Sequence, residues 1–500
     1  MRKLIAQISI VSCGLWLTGC FNLGPDYCCP DARVACEWNN ESGAFVEKES
    51  NGHCTWWRDF HDPVLNCLIE MASEENLDLQ IACERINEAR ANLGIASGLR
   101  YPQLQRLFGK QITSQLSEHV PPLSILPEDI RRRSNSSNDL FTVSFDAMWE
   151  LDIWGKYQKG VDAATAMYCA EVFGRDAAIV MVFAQVAQSY TTYRMLDSLM
   201  EVANESLVVQ RRSLEIAEVR YRNGVSTELD VVQAQALLYE TEALIPELQE
   251  GKTLAKNSLC ALLALNSGEL DCILEEGSGI PRASATLSVG LPCDLLRRRP
   301  DVRAAEQRTI AACAKIGIAR TALLPSLSLA GTVGFASTEK STLFHGDSLY
   351  WKHGFGIDWD ILNYGRLQNA VCVEKARFEQ AALAYKDAVL QAQIEVEDAF
   401  ASIVANQERE YAFRKATEAA ARSLDIALLQ YREGEGEFDR VIDSERAWLA
   451  QRSELASVQA ALTTSLIQLY KALGGGWQWR LQDCMLCDTA EPTQGEKHVR

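Results

Sequence analysis

Residues 141–156 read FTVSFDAMWELDIWGK, and residues 359–366 read WDILNYGR. The first stretch alternates apolar and polar residues from Phe141 to Ile153, and both stretches end in an aromatic residue, a glycine and a base. Thirteen residues extend roughly 40 Å as a strand, which exceeds a usual soluble strand and suffices for a tilted membrane span. The pattern therefore predicts a membrane strand that bends into a helix at Gly155 and again at Gly365, although a strand over a soluble core alternates similarly.

The chain contains an internal repeat. The two stretches lie 210 residues apart, and the same offset relates YRNGVSTELDVVQAQ at 221–235 to YREGEGEFDRVIDSE at 431–445. An earlier pair, ARANLGIASGLRYPQL at 89–104 and ACAKIGIARTALLPSL at 312–327, has an offset of 223. Apolar residues around this pair recur with heptad spacing, as on a packed helix. Each half is thus predicted to run helix, strand, loop, strand, long helix, turn, helix.

These patterns set approximate bounds for the elements. Strands are predicted at about 102–113, 141–153, 325–337 and 351–361, and the loops 114–140 and 337–350 are expected outside the cell. Helices are predicted at 63–99, 161–222, 228–265, 294–322, 367–432 and 439–473. The two longest would each reach roughly 90–100 Å at about 1.5 Å per residue, far beyond an average helix. A soluble coiled-coil rod is the alternative, but it does not explain alternating strands at one end.

The N-terminus resembles that of an exported lipoprotein. A charged MRK and an apolar run, LIAQISIVSCGLWL, precede LTGC, which ends at Cys20. This arrangement resembles a bacterial lipobox, so residues 1–19 are predicted to be a signal peptide and Cys20 to carry acyl chains such as palmitate. An ordinary signal peptide with a chance cysteine is the alternative. Phe21 stands where an aspartate would signal inner-membrane retention, and three acyl chains would anchor firmly.

Composition excludes several function classes. The formal charge is −18 over 500 residues, whereas a nucleic-acid groove needs a basic face. The six histidines are scattered without ligand spacing, and we find no nucleophile motif or phosphate loop, so neither an enzyme nor a metal or other cofactor is expected.

No apolar run after the N-terminus is long enough for a transmembrane helix. Most cysteines are predicted to be small buried hydrophobes, but Cys28 and Cys29 are candidates for a disulfide.

Four strands per chain cannot close a membrane barrel by themselves. Eight strands is about the minimum, and side chains then fill the interior. An open duct therefore needs at least three chains, which together supply twelve strands.

The most specific stretch is DLLRRRPDVRAAEQ at 294–307, which leads into IGIARTALLPSLSLAGTVGF at 316–335. Together with the lipobox, the repeat and the Tyr-x-x-Gly helix turns, it resembles the outer-membrane efflux protein family, the TolC-like outer-membrane factors, in their OprM-like lipoprotein branch. The resemblance covers about residues 20–475.

The run Arg297–Arg299 invites an anion-binding hypothesis, but we favour pairing with nearby acids at a helix start, where Asp301 is an N-cap or first-turn acid.

The resemblance implies the fold class, an α+β membrane protein in which a homotrimer forms a 12-stranded β-barrel continuous with a long periplasmic 12-helix α-barrel. Each chain would hold two structural repeats, 63–265 and 294–473. The remaining segments are a lipidated N-terminal segment at 20–62, a linker at 266–293 and a C-terminal segment at 474–500. Within them, the parts around 37–62, 266–293 and 474–490 would form an equatorial belt.

The turns at 223–227 and 433–438 end the long helices, at what the resemblance makes the periplasmic tip. Gly224 and Gly434 suit a helix C-cap with positive φ, in turns expected to contact the adaptor. The family narrows its tunnel here with tyrosine contacts, ion pairs and acids. On the matching positions, the gate residues are Tyr221, Asp230, Tyr431, Asp439, Arg440 and Asp443. In a trimer, Asp230 and Asp443 would each form a ring of carboxylates that attracts cations, unless they only cap a helix or face solvent.

Arg440 departs from the family pattern, because an acid usually stands there, one turn before Asp443. We therefore predict that Arg440 forms ion pairs in the gate and lowers its preference for cations.

Aromatic residues mark both strand-to-helix junctions. Trp149, Trp154, Trp359 and Tyr364 are predicted to lie at the membrane interface. Because Trp149 points outward, the acids of these junctions are predicted to face a wet lumen rather than form a catalytic cluster; they are Glu150, Asp152, Asp358 and Asp360.

The function implied is an outer-membrane exit duct of a tripartite efflux system, which passively exports drugs or other small molecules and extends into the periplasm. Its partners would be a periplasmic adaptor, or membrane fusion protein, and an inner-membrane pump, most often of the resistance-nodulation-division class. The alternatives are the exit duct of a type I protein-secretion system and a non-conducting structural lipoprotein of the envelope.

Overall fold

The computed structural model describes residues 23–34, 38, 46–47, 53–115, 125, 127–128, 137–282, 287–288 and 298–479. The predicted signal peptide, Cys20, Arg297, most of the loop 114–140 and the tail after residue 479 lie outside these residues.

Helices and strands follow one another in the predicted order. The helices are α1 (Pro63–Glu75), α2 (Leu77–Gly98), α3 (Lys156–Arg222), α4 (Glu228–Leu263), α5 (Asp271–Glu275), α6 (Pro300–Thr321), α7 (Arg366–Glu433) and α8 (Phe438–Ala472). The strands are β1 (Val46–Glu47), β2 (Leu104–Gln115), β3 (Ser137–Leu151), β4 (Leu287–Ser288), β5 (Ser326–Ser337) and β6 (Leu349–Asp358). Within the described residues, we find no helix that combines the length and the apolarity needed to cross a membrane.

The predicted helix 63–99 is broken at Asn76, which has an extended backbone. Its side-chain Oδ1 accepts a hydrogen bond from the Leu79 amide at 3.0 Å, and its Nδ2 donates to the Leu262 carbonyl at 2.7 Å. A buried asparagine that satisfies both a helix start and a neighbouring helix end therefore separates α1 from α2.

The chain divides into two compact units, and the first comprises residues 23–29, 87–170 and 306–383 of the described chain. Its centre is an antiparallel sheet in the order β2-β3-β5-β6. β3 begins four residues before the predicted strand and ends at Leu151, because Asp152 already serves the helix that follows. β6 runs two residues further at its start and ends at Asp358 rather than at residue 361.

The register places large apolar residues opposite one another on one face of this sheet. One row crosses all four strands and contains Leu107, Phe145, Val333 and Trp351. All four are exposed, with exposed fractions between 43% and 73%, so no core formed by the described residues covers this face. An apolar face of this size needs lipid or another partner.

The opposite face of the sheet is polar. The adjacent row contains Arg106, Asp146, Thr332 and Lys352. Asp146 accepts a hydrogen bond from Thr332 at 2.8 Å and lies 3.6 Å from the Arg106 guanidinium. The alternating residues of 141–153 therefore lie on opposite faces of a sheet that is apolar on one side and charged on the other.

The second unit comprises residues 30–86, 171–305 and 384–479 of the described chain. Its largest hydrophobic core includes Trp57 and Leu274, and Trp477 packs against it, so all three predicted belt segments contribute to one core. β1 and β4 pair in parallel, which joins the first two segments through their backbones. Arg194 is fully buried and donates to the Leu274 carbonyl at 2.7 Å, so it fixes the linker to α3.

Arg299 behaves as the ion-pair hypothesis predicts. Its guanidinium is buried, lies 2.7 Å from both Asp301 and Glu395, and donates to the Ala472 carbonyl at 2.9 Å. This arginine therefore locks the start of α6 to α7 and to the end of α8. Cys28 and Cys29, the candidates for a disulfide, are both exposed, and no disulfide joins them.

Candidate functional site

The two turns that end the long helices have the same backbone. Gly224 and Gly434 lie 210 residues apart and have φ of 67° and 83°. In each turn the glycine N–H bonds to the carbonyl three residues earlier, and the next N–H bonds to the carbonyl five residues before it, at 2.9–3.1 Å. This is the Schellman C-cap, which requires the left-handed conformation that glycine adopts without strain.

A small hydrophobic cluster holds the two turns together. It comprises Ala217, Ala234, Leu237, Ala427, Tyr431, Phe438, Val441 and Ile442, which come from α3, α4, α7 and α8. The rings of Tyr431 and Phe438 lie 4.9 Å apart. The cluster is formed by both repeats, so the tip of the chain is one packed unit.

Tyr431 is the centre of the polar contacts at this tip. Its hydroxyl donates to Asp230 Oδ2 at 3.2 Å, and Arg220 Nη1 donates to its carbonyl at 2.7 Å. The Arg220 guanidinium also lies 4.7 Å from the centre of the tyrosine ring, in cation–π contact. Burial and the neighbouring Asp230 carboxylate raise the pKa of Tyr431, so the hydroxyl stays a hydrogen-bond donor.

Two predicted gate acids are held by polar neighbours. Asp230 Oδ1 accepts from the Thr227 hydroxyl at 2.8 Å, and Asp439 Oδ1 accepts from Gln233 Nε2 at 3.1 Å. A cavity of about 290 Å³ lies between the turns and is lined by both acids and by Arg220. The acids therefore join the two repeats within one chain before any contact with another copy.

Besides Asp439, three predicted gate residues lie at the surface. Tyr221, Arg440 and Asp443 are exposed. Among the described residues, Arg440 has no carboxylate within salt-bridge distance. Its ion pairs in the gate thus remain a prediction about contacts between chains, as do the carboxylate rings.

Sequence reasoning missed Arg220, Gln233 and Phe438, and it also missed Glu445. Glu445 is buried on α8, where its carboxylate accepts a hydrogen bond from the Ser213 hydroxyl of α3. The signal was present, because Phe438, Val441, Glu445 and Trp448 follow heptad steps of three, four and three, which put an acid on the buried side of a helix.

The strand-to-helix junctions repeat as closely as the turns do. Gly155 and Gly365 have φ of 76° and 82°. Lys156 lies 2.8 Å from Glu150, and the equivalent Arg366 lies 2.9 Å from Asp360. Both ion pairs span six residues across the bend, so they stabilise the same change from strand to helix.

The junction acids do not form a free acidic lining. Asp152 accepts hydrogen bonds from the amides of Tyr157 and Gln158 at 3.0 and 2.8 Å, which makes it the cap of α3. With Glu150 and Asp360 in ion pairs, three of the four acids have partners at their own junction, and their exposure to a lumen remains a prediction.

The predicted interfacial aromatics are anchored at their polar ends. The indole N–H groups of Trp149, Trp154 and Trp359 each donate to a backbone carbonyl, at 3.2, 2.7 and 3.1 Å. Tyr364 is fully exposed. An apolar ring with a satisfied polar end suits a membrane interface, which remains their predicted role.

A two-sided sheet of long strands, joined to helices of 67 and 68 residues that end in paired turns, defines the subunit of an outer-membrane channel. The comparisons agree: the chain belongs to the outer membrane efflux protein family, whose sequence model matches residues 68–265 and 291–475. The fold expected from the sequence is thereby confirmed.

Similar proteins come from several bacteria. The chain is 30% identical over 471 residues to the cation efflux system protein CusC of Escherichia coli O6:H1, covering 93% of this chain and 97% of that one. It is 28% identical over 463 residues to nodulation protein T of Rhizobium leguminosarum bv. viciae, and the match covers 93% of this chain and 92% of that protein. Among solved structures, the outer-membrane channel OprN superposes with a TM-score of 0.85 at 29% identity, covering 91% of this chain and all of that one.

Proposed function

We propose that this chain forms the outer-membrane exit duct of a tripartite efflux system, as a homotrimer that works with a periplasmic adaptor and an inner-membrane pump. The duct passively exports small molecules, and the pump supplies the energy. The main support for the proposal is the sheet, which has one exposed apolar face and one charged face. Lipid can cover the apolar face while water solvates the charged face.

The free edges of the sheet support the trimer. In the described part of the chain, β2 and β6 each pair on one side only, which leaves a row of unpaired backbone groups on both edges. Such edges are unfavourable inside a membrane. Pairing β2 of one copy with β6 of the next removes every edge when three copies close a ring of twelve strands.

The lipid anchor at Cys20 fits this placement. The Leu23 amide lies 3.4 Å from the Trp154 carbonyl at the strand-to-helix junction. Three further residues span at most about 11 Å. We therefore propose that an acyl group on Cys20 enters the membrane near the interfacial tryptophans.

Purified protein in planar bilayers tests the duct. Native mass spectrometry is expected to give three chains per particle, and the bilayer is expected to show a stable conductance. A monomer without conductance would contradict the proposal, and a trimer without conductance would favour a structural role.

The gate proposal has its own test. We expect Arg440→Asp to increase cation selectivity, because it adds carboxylates where the chain now carries bases. Arg446→Asp, which makes the same charge change six residues further along α8, is the matched control. Unchanged selectivity in Arg440→Asp would refute a role for Arg440 in the gate.

A further inference from the structure

Glu445 lies within a buried polar layer next to the hydrophobic cluster of the tip. The layer consists of Ser206, Gln210, Ser213, Thr241 and Glu445, all almost completely buried. Gln210 donates to Ser206 at 3.1 Å and to Thr241 at 2.9 Å. Ser213 precedes the cluster residue Ala217 by one turn, and Glu445 follows Val441 by one turn. The carboxylate therefore bridges α3 and α8 next to the paired turns.

Among the residues that the structure describes, no base forms an ion pair with this carboxylate. The ionisable side chains on neighbouring turns of α3, α4, α7 and α8 point to solvent; they are Arg211, Arg212, Glu215, Glu240, Arg422, Asp425, Asp443 and Arg446, with Glu242 half-exposed. Two of the bases are already paired, Arg211 with Glu242 and Arg446 with Glu240. The Ser213 hydroxyl is the group that interacts with Glu445.

We propose that Glu445 is a proton-operated latch between α3 and α8: the protonated carboxyl holds the helices together, and its loss of a proton to the periplasmic solvent loosens them and favours an open tip. The inference rests on the proposed duct. A neutral carboxyl fits the polar layer, whereas an uncompensated carboxylate in the same place is unfavourable.

The environment of Glu445 sets the pH at which the latch acts. Burial raises the pKa of Glu445 to about 7, and the hydrogen bond from Ser213 opposes that rise. The carboxyl is therefore mostly neutral at pH 5.5 and mostly ionised at pH 8.5. The contact between α3 and α8 is therefore stable at pH 5.5 and weakened at pH 8.5.

Single-channel recordings of the trimer between pH 5.5 and 8.5 test the latch. Wild type is expected to open several-fold more often at pH 8.5, with a midpoint near pH 7. Glu445→Gln removes the titrating group while it keeps the shape, so its open probability stays low at every pH. Glu454→Gln, the same substitution at an exposed acid nine residues further along α8, leaves the midpoint unchanged.

Ser213→Ala is the second variant, and it keeps the test decisive if Glu445→Gln fails to assemble. The serine hydrogen bond favours the ionised form, so its loss raises the midpoint above that of wild type. A Glu445→Gln trimer with the wild-type pH response, or a Ser213→Ala trimer with an unmoved midpoint, overturns the latch. Absence of conductance in wild type at every pH contradicts the duct instead.

Discussion

Placing a charge on the apolar face of the sheet is the most direct test of the membrane assignment. Val333 lies in β5 between Phe145 and Trp351, in the exposed apolar row of the sheet. Seven residues separate it from the start of β5, which is about 24 Å along the strand and roughly 17 Å in height at a 45° tilt. The apolar band of a membrane barrel is about 25 Å tall, so Val333 lies inside it.

Val333→Arg is expected to destabilise each chain by roughly 2–3 kcal/mol, since an arginine in this band costs about 2–4 kcal/mol at the midplane and less towards the edges. At about 1.4 kcal/mol per tenfold, the ratio of folded to unfolded chain in lipid falls roughly 30- to 150-fold. The assay is urea unfolding of the protein in lipid vesicles, with the amount of trimer in outer membranes as a second measurement.

Ala330→Arg is the matched control. Ala330 lies three residues away on the same strand, but on the face that carries the charged row, and it is exposed. We expect it to change the free energy of unfolding by less than about 1 kcal/mol, because a lumenal arginine stays in water. Equal destabilisation by the two substitutions, or a larger effect of Ala330→Arg, would refute the assignment of the two faces.

Three further substitutions test the helical parts. Gly434→Ala forces a β-carbon into a left-handed turn and should lower the melting temperature in detergent by a few degrees, a strain of about 1 kcal/mol, whereas Gly94→Ala, in an open helical position, should raise it. Arg299→Gln removes the guanidinium that bonds the half-exposed Asp301 and Glu395 and the buried Ala472 carbonyl, and it should cost about 2 kcal/mol, while the exposed Arg308→Gln should be neutral. The free energy of unfolding of wild type should fall as pH rises from about 4.5 to 7, because the folded state keeps the Glu445 proton that the unfolded state has lost. Glu445→Gln should abolish this slope in the same melting curves. At pH 8 the variant should be more stable than wild type by at most roughly 3 kcal/mol.

Features that depend on period and backbone conformation were readable from the sequence. The phase of β3 follows from strict alternation, and the register extends that phase to β5 and β6. The offset of 210 placed Gly155 against Gly365 and Gly224 against Gly434, and all four have the positive φ expected of glycine in these bends and caps. Such features are local, so a single stretch contains the information.

Features that depend on contacts distant in sequence were not readable. Asn76 interrupts the predicted first helix because the end of α4, nearly 190 residues later, offers a carbonyl to its side chain. Asp152 alternates in phase with the strand, yet it caps α3 because the chain has already bent. Polar residues before Phe141 suggested a loop, but β2 and β5 on either side extend β3 back to Ser137.

The turns of the two repeats have the same backbone conformation but carry different side chains at equivalent positions. This difference sets the charges at the tip. At the common offset, Asp230 corresponds to Arg440 and Gln233 to Asp443. In the proposed trimer we expect these positions to alternate around the axis, so that an acid would face a base where two identical repeats would repel. Glu445 corresponds to Gln235, which cannot titrate. Only one repeat therefore carries the proposed latch, and three protons, rather than six, would control the tip of the trimer.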